Sequence, residues 1–242
     1  MLQALESAAF SAWPAQRSLD VQGWHLRLDR GYTKRANSAN ATAQSRPLTA
    51  NDVESIEAHF RLSGLTPTFR LTSFAPIEDS DRLLGSRGYR SCDASLVMTR
   101  SLAGFAEGAE AAFAPNAAAW LKAFVHASGK RGADQAVHLE ILRRIAAPCA
   151  WAVHSDDAPS LTCGLGVLVE DKLGLFDIAT RQDHQRRGLA RVLCEGLLAW
   201  GARRGAQTAF LQVVATNAPA IRLYEVLGFE IAYRYWYRVS NA

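Results

Sequence analysis

Gln185-Arg186-Arg187-Gly188-Leu189-Ala190 is the stretch whose residue types and order point most directly to chemistry. It lies between Leu173 to Thr180, which reads as a strand, and a long amphipathic run that reads as a helix. A helix start presents backbone N–H groups without partners and the positive end of the macrodipole, so main-chain groups alone can hold an anion there. Gly188 has no side chain to keep a ligand off the backbone, and Ala190 is nearly as small. Arg186 and Arg187 add charge at the same point, and the combination suits a pyrophosphate. Downstream, Asn217-Ala218-Pro219-Ala220-Ile221-Arg222-Leu223-Tyr224-Glu225-Val226-Leu227-Gly228-Phe229 reads as a short helix. Asn217 serves as its cap and Pro219 sits in its first turn, with Tyr224 about two turns in and Gly228 just past the end.

The elements that must position these groups follow from periodicity and punctuation. Leu189, Val192, Leu193, Leu197 and Trp200 form the apolar side of a helix over about 188–204, which Arg203, Arg204 and Gly205 close. Strands are predicted at Cys149 to His154, Leu161 to Glu170, Leu173 to Thr180 and Ala209 to Val214. The helix between the last two implies a right-handed crossover joining parallel strands. Helices are predicted at Ala117 to Ser128 and Asp134 to Ile145. In the first hundred residues, Trp24 to Leu28 alternates as a strand, and Thr49 with Asp52 opens a helix over about 50–63. Thr68 to Thr72 is a strand, Asp79 to Ser86 a helix and Ala94 to Thr99 a strand, while Arg35 to Pro47 is expected to be loop. Leu83 to Tyr89 and the strand after it echo Tyr224 to Phe229 and Ile231 to Val239, an internal similarity in matching order. Ala103 to Asn116, rich in Ala, Gly and Glu, is taken as the boundary between the halves.

Together, the two segments resemble those of the GNAT superfamily of acyl-CoA-dependent N-acyltransferases. Gln185, Gly188 and Ala190 match its pyrophosphate loop, (Q/R)-x-x-G-x-(G/A). Asn217, Ala220, Leu223, Tyr224, Gly228 and Phe229 match its N-x-x-A-x-x-L-Y-x-x-x-G-F segment. The resemblance covers about residues 117–242 and implies an α/β (α+β) fold, a mixed central sheet flanked by helices. Residues 1–102 resemble a degenerate, truncated GNAT-like half, leaving 103–242 as the acetyltransferase domain.

The family implies transfer of an acetyl group from acetyl-CoA to a primary amine by direct attack on the thioester, with no metal. By resemblance, the oxyanion donor is a backbone N–H near Ile178, Ala179 and Thr180. Gln185, Arg186, Arg187, Gly188, Leu189 and Ala190 hold the pyrophosphate, and Asn217 lies on the pantetheine side. Tyr224 matches the tyrosine near the sulfur, and a phenol of pKa about 10 can protonate a thiolate of similar basicity. Asp177, leading into the loop, is the first choice of base, ahead of Glu170 and Glu225; water can also carry the proton. The alternative is a non-catalytic acyl-CoA-binding regulatory module, against which Tyr224 argues. The acceptor, a small-molecule or peptide amine, is not readable.

Composition narrows the remaining classes. The 242 residues are 49% hydrophobic and 21% charged, with 27 basic and 23 acidic side chains giving a net charge of +4, which suits a globular protein rather than a disordered one. The charge is spread along the chain; a sequence pI of about 9.0 and Arg181, Arg186 and Arg187 are all that favours a nucleic-acid partner, and none is expected. Cys92, Cys149, Cys163 and Cys194 show no metal or redox spacing. The six histidines are scattered and read as surface or packing residues. Gly164-x-Gly166 reads as a bulge rather than a nucleotide loop. Met1 to Trp13 lacks the pattern of a secretory signal, no apolar run reaches the ~20 residues of a membrane span, and a cytoplasmic location is expected.

Overall fold

Thr49 and Asp52 cap each other at the head of an apolar helical run. The Asp52 amide donates to the Thr49 hydroxyl (3.3 Å), and the Thr49 amide donates to the Asp52 carboxylate (2.8 Å). Such local signals recur along the chain, and a computed structural model shows how the elements they start are assembled; it describes residues 2–105, 111–129, 134–154 and 160–241. In chain order these form α1 (Leu2–Ala12), β1 (Arg17–Val21), β2 (Trp24–Leu28), β3 (Ser38–Asn40), α2 (Ala50–Leu62), β4 (Thr68–Thr72), α3 (Glu78–Ser86) and β5 (Arg90–Ser101). Then come β6 (Ala112–Phe113), α4 (Ala117–Ser128), α5 (Asp134–Arg144), β7 (Cys149–Val153), β8 (Thr162–Val169) and β9 (Lys172–Thr180). The chain closes with α6 (Leu189–Ala202), β10 (Thr208–Val214), α7 (Ala218–Val226) and β11 (Glu230–Val239).

The strands join one mixed sheet in the order β1-β2-β3-β4-β11-β5-β10-β9-β8-β7-β6. The run β3-α2-β4-α3-β5 is repeated in kind by β9-α6-β10-α7-β11, and β3/β4 and β9/β10 are the parallel pairs. At the centre, β5 and β11 are antiparallel, with β11 beside β4 and β5 beside β10. Each last strand therefore lies next to the other run's strands, and the sheet is continuous across position 102. Residues 106–110 of the expected boundary lie outside the described residues.

Four elements depart from the expectations, among them the short strand β6 within the segment taken as the boundary. The segment taken as loop holds a 3-10 turn at Lys34–Ala36 and strand β3. Ser-Ala-Asn reads as loop because it is polar, yet it is fully buried, and Asn40 is satisfied by donating to the carbonyls of His25 (3.0 Å) and Ser38 (2.8 Å). Helix α1, not anticipated, buries Leu5, Ala8, Ala9 and Ala12 together with Glu6, a face too small and too mixed to register as apolar. Strand β1 is a largely exposed edge.

One face of the sheet is covered by α1, α4 and α5; α6 and α7 cover another core, with Leu193, Leu197, Leu198 and Trp200 against Leu173, Leu175 and Leu211. At about 1.5–3 kcal/mol for each large apolar side chain removed from water, this packing fixes α6, and with it the Gly188 turn, onto the sheet. Gly164 and Gly166 lie in β8 beneath α6. A Cβ at Gly164 would stand 2.4 Å from Ile178 Cδ1 and 2.9 Å from Leu193 Cδ2, so the glycines permit close strand–helix contact. The register shifts opposite Gly164, but the extra residue lies in β9, where Asp177 and Ile178 face Gly164 alone; the bulge expected at the glycines is therefore in the neighbouring strand, and the glycines serve the close contact with α6 instead.

Candidate active site

Strands β9 and β10 are paired only over Lys172–Leu175 and Thr208–Leu211. Beyond that point β9 runs on to Thr180 beside β8 and β10 to Val214 beside β5 without pairing with each other, so the sheet opens into a gap edged on one side by Ile178 to Thr180. A cleft of about 390 Å³ occupies this place, lined by Ile178 and Thr180 of β9, Gln185, Arg186, Gly188, Leu189 and Ala190 of the loop and α6, and Asn217, Leu223 and Tyr224 of α7. His184 and Arg191 also contribute to its wall.

The two motifs are thus brought together from both sides of the opening. Gly188 sits at the N-cap of α6 with φ 80°, a left-handed conformation that glycine adopts without strain, and no side chain caps the helix. The first N–H groups of α6 therefore face the cleft with no side-chain cap among the described residues. A Cβ on Gly188 would meet nothing within 4 Å, so the space over the turn is open. Gln185 donates through Nε2 to the Thr180 carbonyl (3.3 Å), tying the loop to the end of β9. The three arginines do not act alike. Arg181 is paired with Asp183 (2.5 Å), and Arg187 donates to the Asp183 carbonyl (3.1 Å), leaving Arg186 as the arginine of this group on the cleft wall. The Arg181–Asp183 pair removes one charge from the cluster that favoured a nucleic acid. Ala179 packs into the core on the α1, α4 and α5 face.

Asn217 caps α7, its Oδ1 accepting from the Ala220 amide (3.3 Å), and it also lines the cleft. Tyr224 is 8% exposed, and burial, with a smaller contribution from Cys194, pushes its phenol well above the ordinary value. The phenol is therefore neutral in the free protein, but it is a weaker acid than a free tyrosine, so the match to the thiolate expected from the sequence is not improved by burial. Burial likewise pushes the Cys194 thiol up to about 12 and the Cys149 thiol to about 11, so neither supplies a thiolate at neutral pH.

Asp177 stands at the bulge of β9 with φ 49°, a left-handed conformation that costs a non-glycine residue about 1–2 kcal/mol. The bulge turns its side chain away from the cleft toward α5, where Oδ2 lies 2.9 Å from Nε2 of His138. Of the histidines read as surface or packing residues, His138 is a packing residue, 2% exposed among aromatic rings, and it also faces the Asp177 carboxylate, which that reading did not anticipate. Its spacing on α5 carried no signal, because its partners come from elements far away in the chain. Of the other two carboxylates considered, Glu170 is in the hairpin turn at the far end of β9, and Glu225 is exposed beside Tyr224 on α7. Among the described residues no cluster of His, Cys, Asp or Glu could hold a metal ion, and no helix is long and apolar enough to cross a membrane.

With this geometry, comparison with known proteins is decisive. The family model described as probable histone acetyltransferase Rv0428c, C-terminal, matches residues 1–238. The chain belongs to that family. It is a GNAT-type N-acetyltransferase, and a relative matching along its whole length agrees. An uncharacterized N-acetyltransferase, YobR of Bacillus subtilis, is 27% identical over 250 residues, covering 99% of both chains. The ribosomal protein bS18 alanine N-acetyltransferase of Escherichia coli K12 is 49% identical over 65 residues, 27% of this chain and 44% of that one. Among solved structures, a GCN5-related N-acetyltransferase from Kribbella flavida shares the fold with a TM-score of 0.73 at 15% identity, over 99% of this chain and 95% of that one. A tandem GNAT protein from the clavulanic acid biosynthesis pathway shares it at 0.60 and 14% identity, over 98% and 88%.

Proposed function

We propose that this GNAT protein transfers the acetyl group of acetyl-CoA to a primary amine, of a small molecule or a peptide, by direct attack on the thioester. The observation that carries the reading is the uncapped start of α6 at Gly188, opening into the gap where β9 and β10 part. The free amides and Arg186 suit the pyrophosphate of the donor. The unpaired edge of β9 near Ile178 to Thr180 offers main-chain N–H groups to the thioester oxygen as it gains charge. Tyr224 lines the cleft, whereas the Asp177 side chain turns toward α5, so the thiol's proton is assigned to the Tyr224 side and the amine's proton reaches Asp177 directly or through water. The amine nitrogen bonds to the acetyl carbon and the C–S bond breaks. The departing sulfur takes its proton from Tyr224, and the amine's proton passes to Asp177. The family name and the bS18-modifying relative, both concerned with protein amines, favour an amine acceptor without fixing which.

The test is release of CoA thiol from acetyl-CoA across a panel of amines, with calorimetry for binding. Binding with no thiol release from any amine would overturn transfer in favour of a regulatory acyl-CoA-binding module. Tyr224→Phe is expected to lower kcat by about 10- to 100-fold, within the usual range for a general acid, while the acetyl-CoA Kd changes by less than about twofold. Unchanged kcat would remove Tyr224 from the proton path.

We further propose that residues 1–102 are a degenerate GNAT-like half that has lost donor binding. At the corresponding crossover helix, α2, the Asp52 carboxylate already occupies the helix start through Thr49 and Arg46. Burial would raise its pKa, but these hydrogen bonds outweigh that and hold it below the usual carboxylate range. One acetyl-CoA per chain is therefore expected by calorimetry, and a stoichiometry near two would contradict this.

A further inference from the structure

His138 and Asp177 present an unusual pair of buried atoms. Nε2 and Oδ2 face each other at 2.9 Å, yet they are off the line of a hydrogen bond, and neither has another hydrogen-bond partner among the described residues. Buried polar atoms without partners are rare and costly, and they concentrate where function requires them. The carboxylate is brought there by a residue in a left-handed conformation at a strand bulge, a second local cost at the same point.

The other ring nitrogen, Nδ1, lies 3.0 Å from the hydroxyl of Tyr32, whose ring stacks on the imidazole with centroids 4.9 Å apart. Tyr32 follows β2, so the contact reaches from the N-terminal half into the core of the C-terminal one. Trp13, Trp120 and Phe124 complete an aromatic enclosure. The charged and titratable groups around it are Asp177 on β9, Asp134 one turn earlier on α5, Arg35 beside Tyr32, and the Cys163 thiol on β8. Burial first, then the charges of Asp177 and Asp134, push the Tyr32 phenol well above its ordinary value against a smaller opposing effect of Arg35. Tyr32 is thus a hydrogen-bond donor at all working pH values. If it donates to Nδ1, a neutral ring must carry its proton on Nε2, opposite the carboxylate.

We propose that Tyr32 and His138 form a positioning relay behind Asp177: the Tyr32 hydroxyl donates to Nδ1, the ring is held as the Nε2–H tautomer, and the positive end of that N–H, 2.9 Å from Oδ2 though not aligned for a hydrogen bond, holds the carboxylate in place electrostatically while its other oxygen takes the acceptor's proton. This rests on the acetyl-transfer reading for its consequence, although the relay itself does not require turnover to be observed. It makes the N-terminal half a structural part of the catalytic site rather than an appendage.

Nitrogen-15 NMR of the histidine rings in the whole protein tests the relay without reference to activity. The expected signature is His138 protonated on Nε2 with Nδ1 accepting a hydrogen bond, with that bond lost in Tyr32→Phe and the Nε2 resonance displaced in Asp177→Asn. A ring protonated on Nδ1, or one indifferent to both substitutions, would overturn it. In turnover, Tyr32→Phe, which keeps the stacked ring, is expected to lower kcat by about tenfold with the acetyl-CoA Kd unchanged. His138→Ala is expected to lose about 100-fold, within the range of general acid–base effects, and to regain part of the loss with added imidazole. A kcat within twofold of wild type for Tyr32→Phe and His138→Ala would also overturn the proposal. If the wild-type protein released no thiol from any amine while the ring signature held, acetyl transfer would fail and the relay would stand.

Discussion

Gly188→Glu is expected to weaken acetyl-CoA binding by about 100-fold, close to 2.7 kcal/mol. Two effects contribute. A non-glycine residue at φ 80° strains the turn, and a carboxylate placed over the α6 start both fills the anion site and repels the incoming diphosphate. Gly188→Ala separates them. A Cβ there touches no protein atom within 4 Å, so alanine adds the strain and one methyl group beside the bound diphosphate but no charge, and about a tenfold loss is expected from it. Gly188 is exposed and remote from the packed face of α6, so the stability cost in either variant should be limited to the strain of the turn, about 1–2 kcal/mol. Calorimetry with acetyl-CoA and with 3′,5′-ADP checks the assignment. The glutamate variant should lose affinity for acetyl-CoA far more than for 3′,5′-ADP if the pyrophosphate is what meets the loop. Equal affinity of wild type and Gly188→Glu for acetyl-CoA would move the donor site elsewhere.

The parts of the site legible in the sequence are those specified by neighbours in the chain. A glycine before a helix, an asparagine cap with a proline in the first turn, and a tyrosine two turns on are local instructions, and α6 and α7 follow them. The parallel pairing of β9 with β10 also followed, because a crossover helix of that length permits little else. The relay was not legible, since Tyr32 and His138 are 106 positions apart and neither sits in a pattern that marks its partner. The placement of β5 and β11 was hidden for a related reason: both read as terminal strands after a helix and a glycine turn, and nothing in their alternation says which strand each will lie beside. The same limit explains α1. Its buried face carries Glu6, which argues against burial until the partners supplied by β4 and β11 are known.

Those partners make Glu6 the site of the largest expected stability effect. Its carboxylate, 1% exposed, accepts two bonds from the equally buried Arg70 guanidinium of β4, one of them at 3.0 Å, and a third from the hydroxyl of Tyr233 on β11. One acidic side chain of α1 thereby joins strands that lie far apart in the sequence. Burial alone would lower the Arg70 pKa, but Glu6 outweighs it and holds the guanidinium charged well above its ordinary value. Removing the carboxylate leaves that cation in a dry core, supported by the Tyr235 ring 3.8 Å from its carbon. Glu6→Ala is therefore expected to cost about 3–5 kcal/mol, a large share of the 5–15 kcal/mol typical of a folded chain. In a protein of this size that lowers Tm by about 10 °C. Glu6→Gln keeps the shape and one acceptor but not the charge, and should fall between the two. The decisive variant is the double substitution Glu6→Met with Arg70→Leu. If the loss in Glu6→Ala is the cost of an orphaned cation rather than the net value of the pair, removing both charges should recover most of it. Urea unfolding of the four proteins separates these terms, and a double variant no more stable than Glu6→Ala would show that the pair itself, through its bonds to β4 and β11, holds α1 on the sheet.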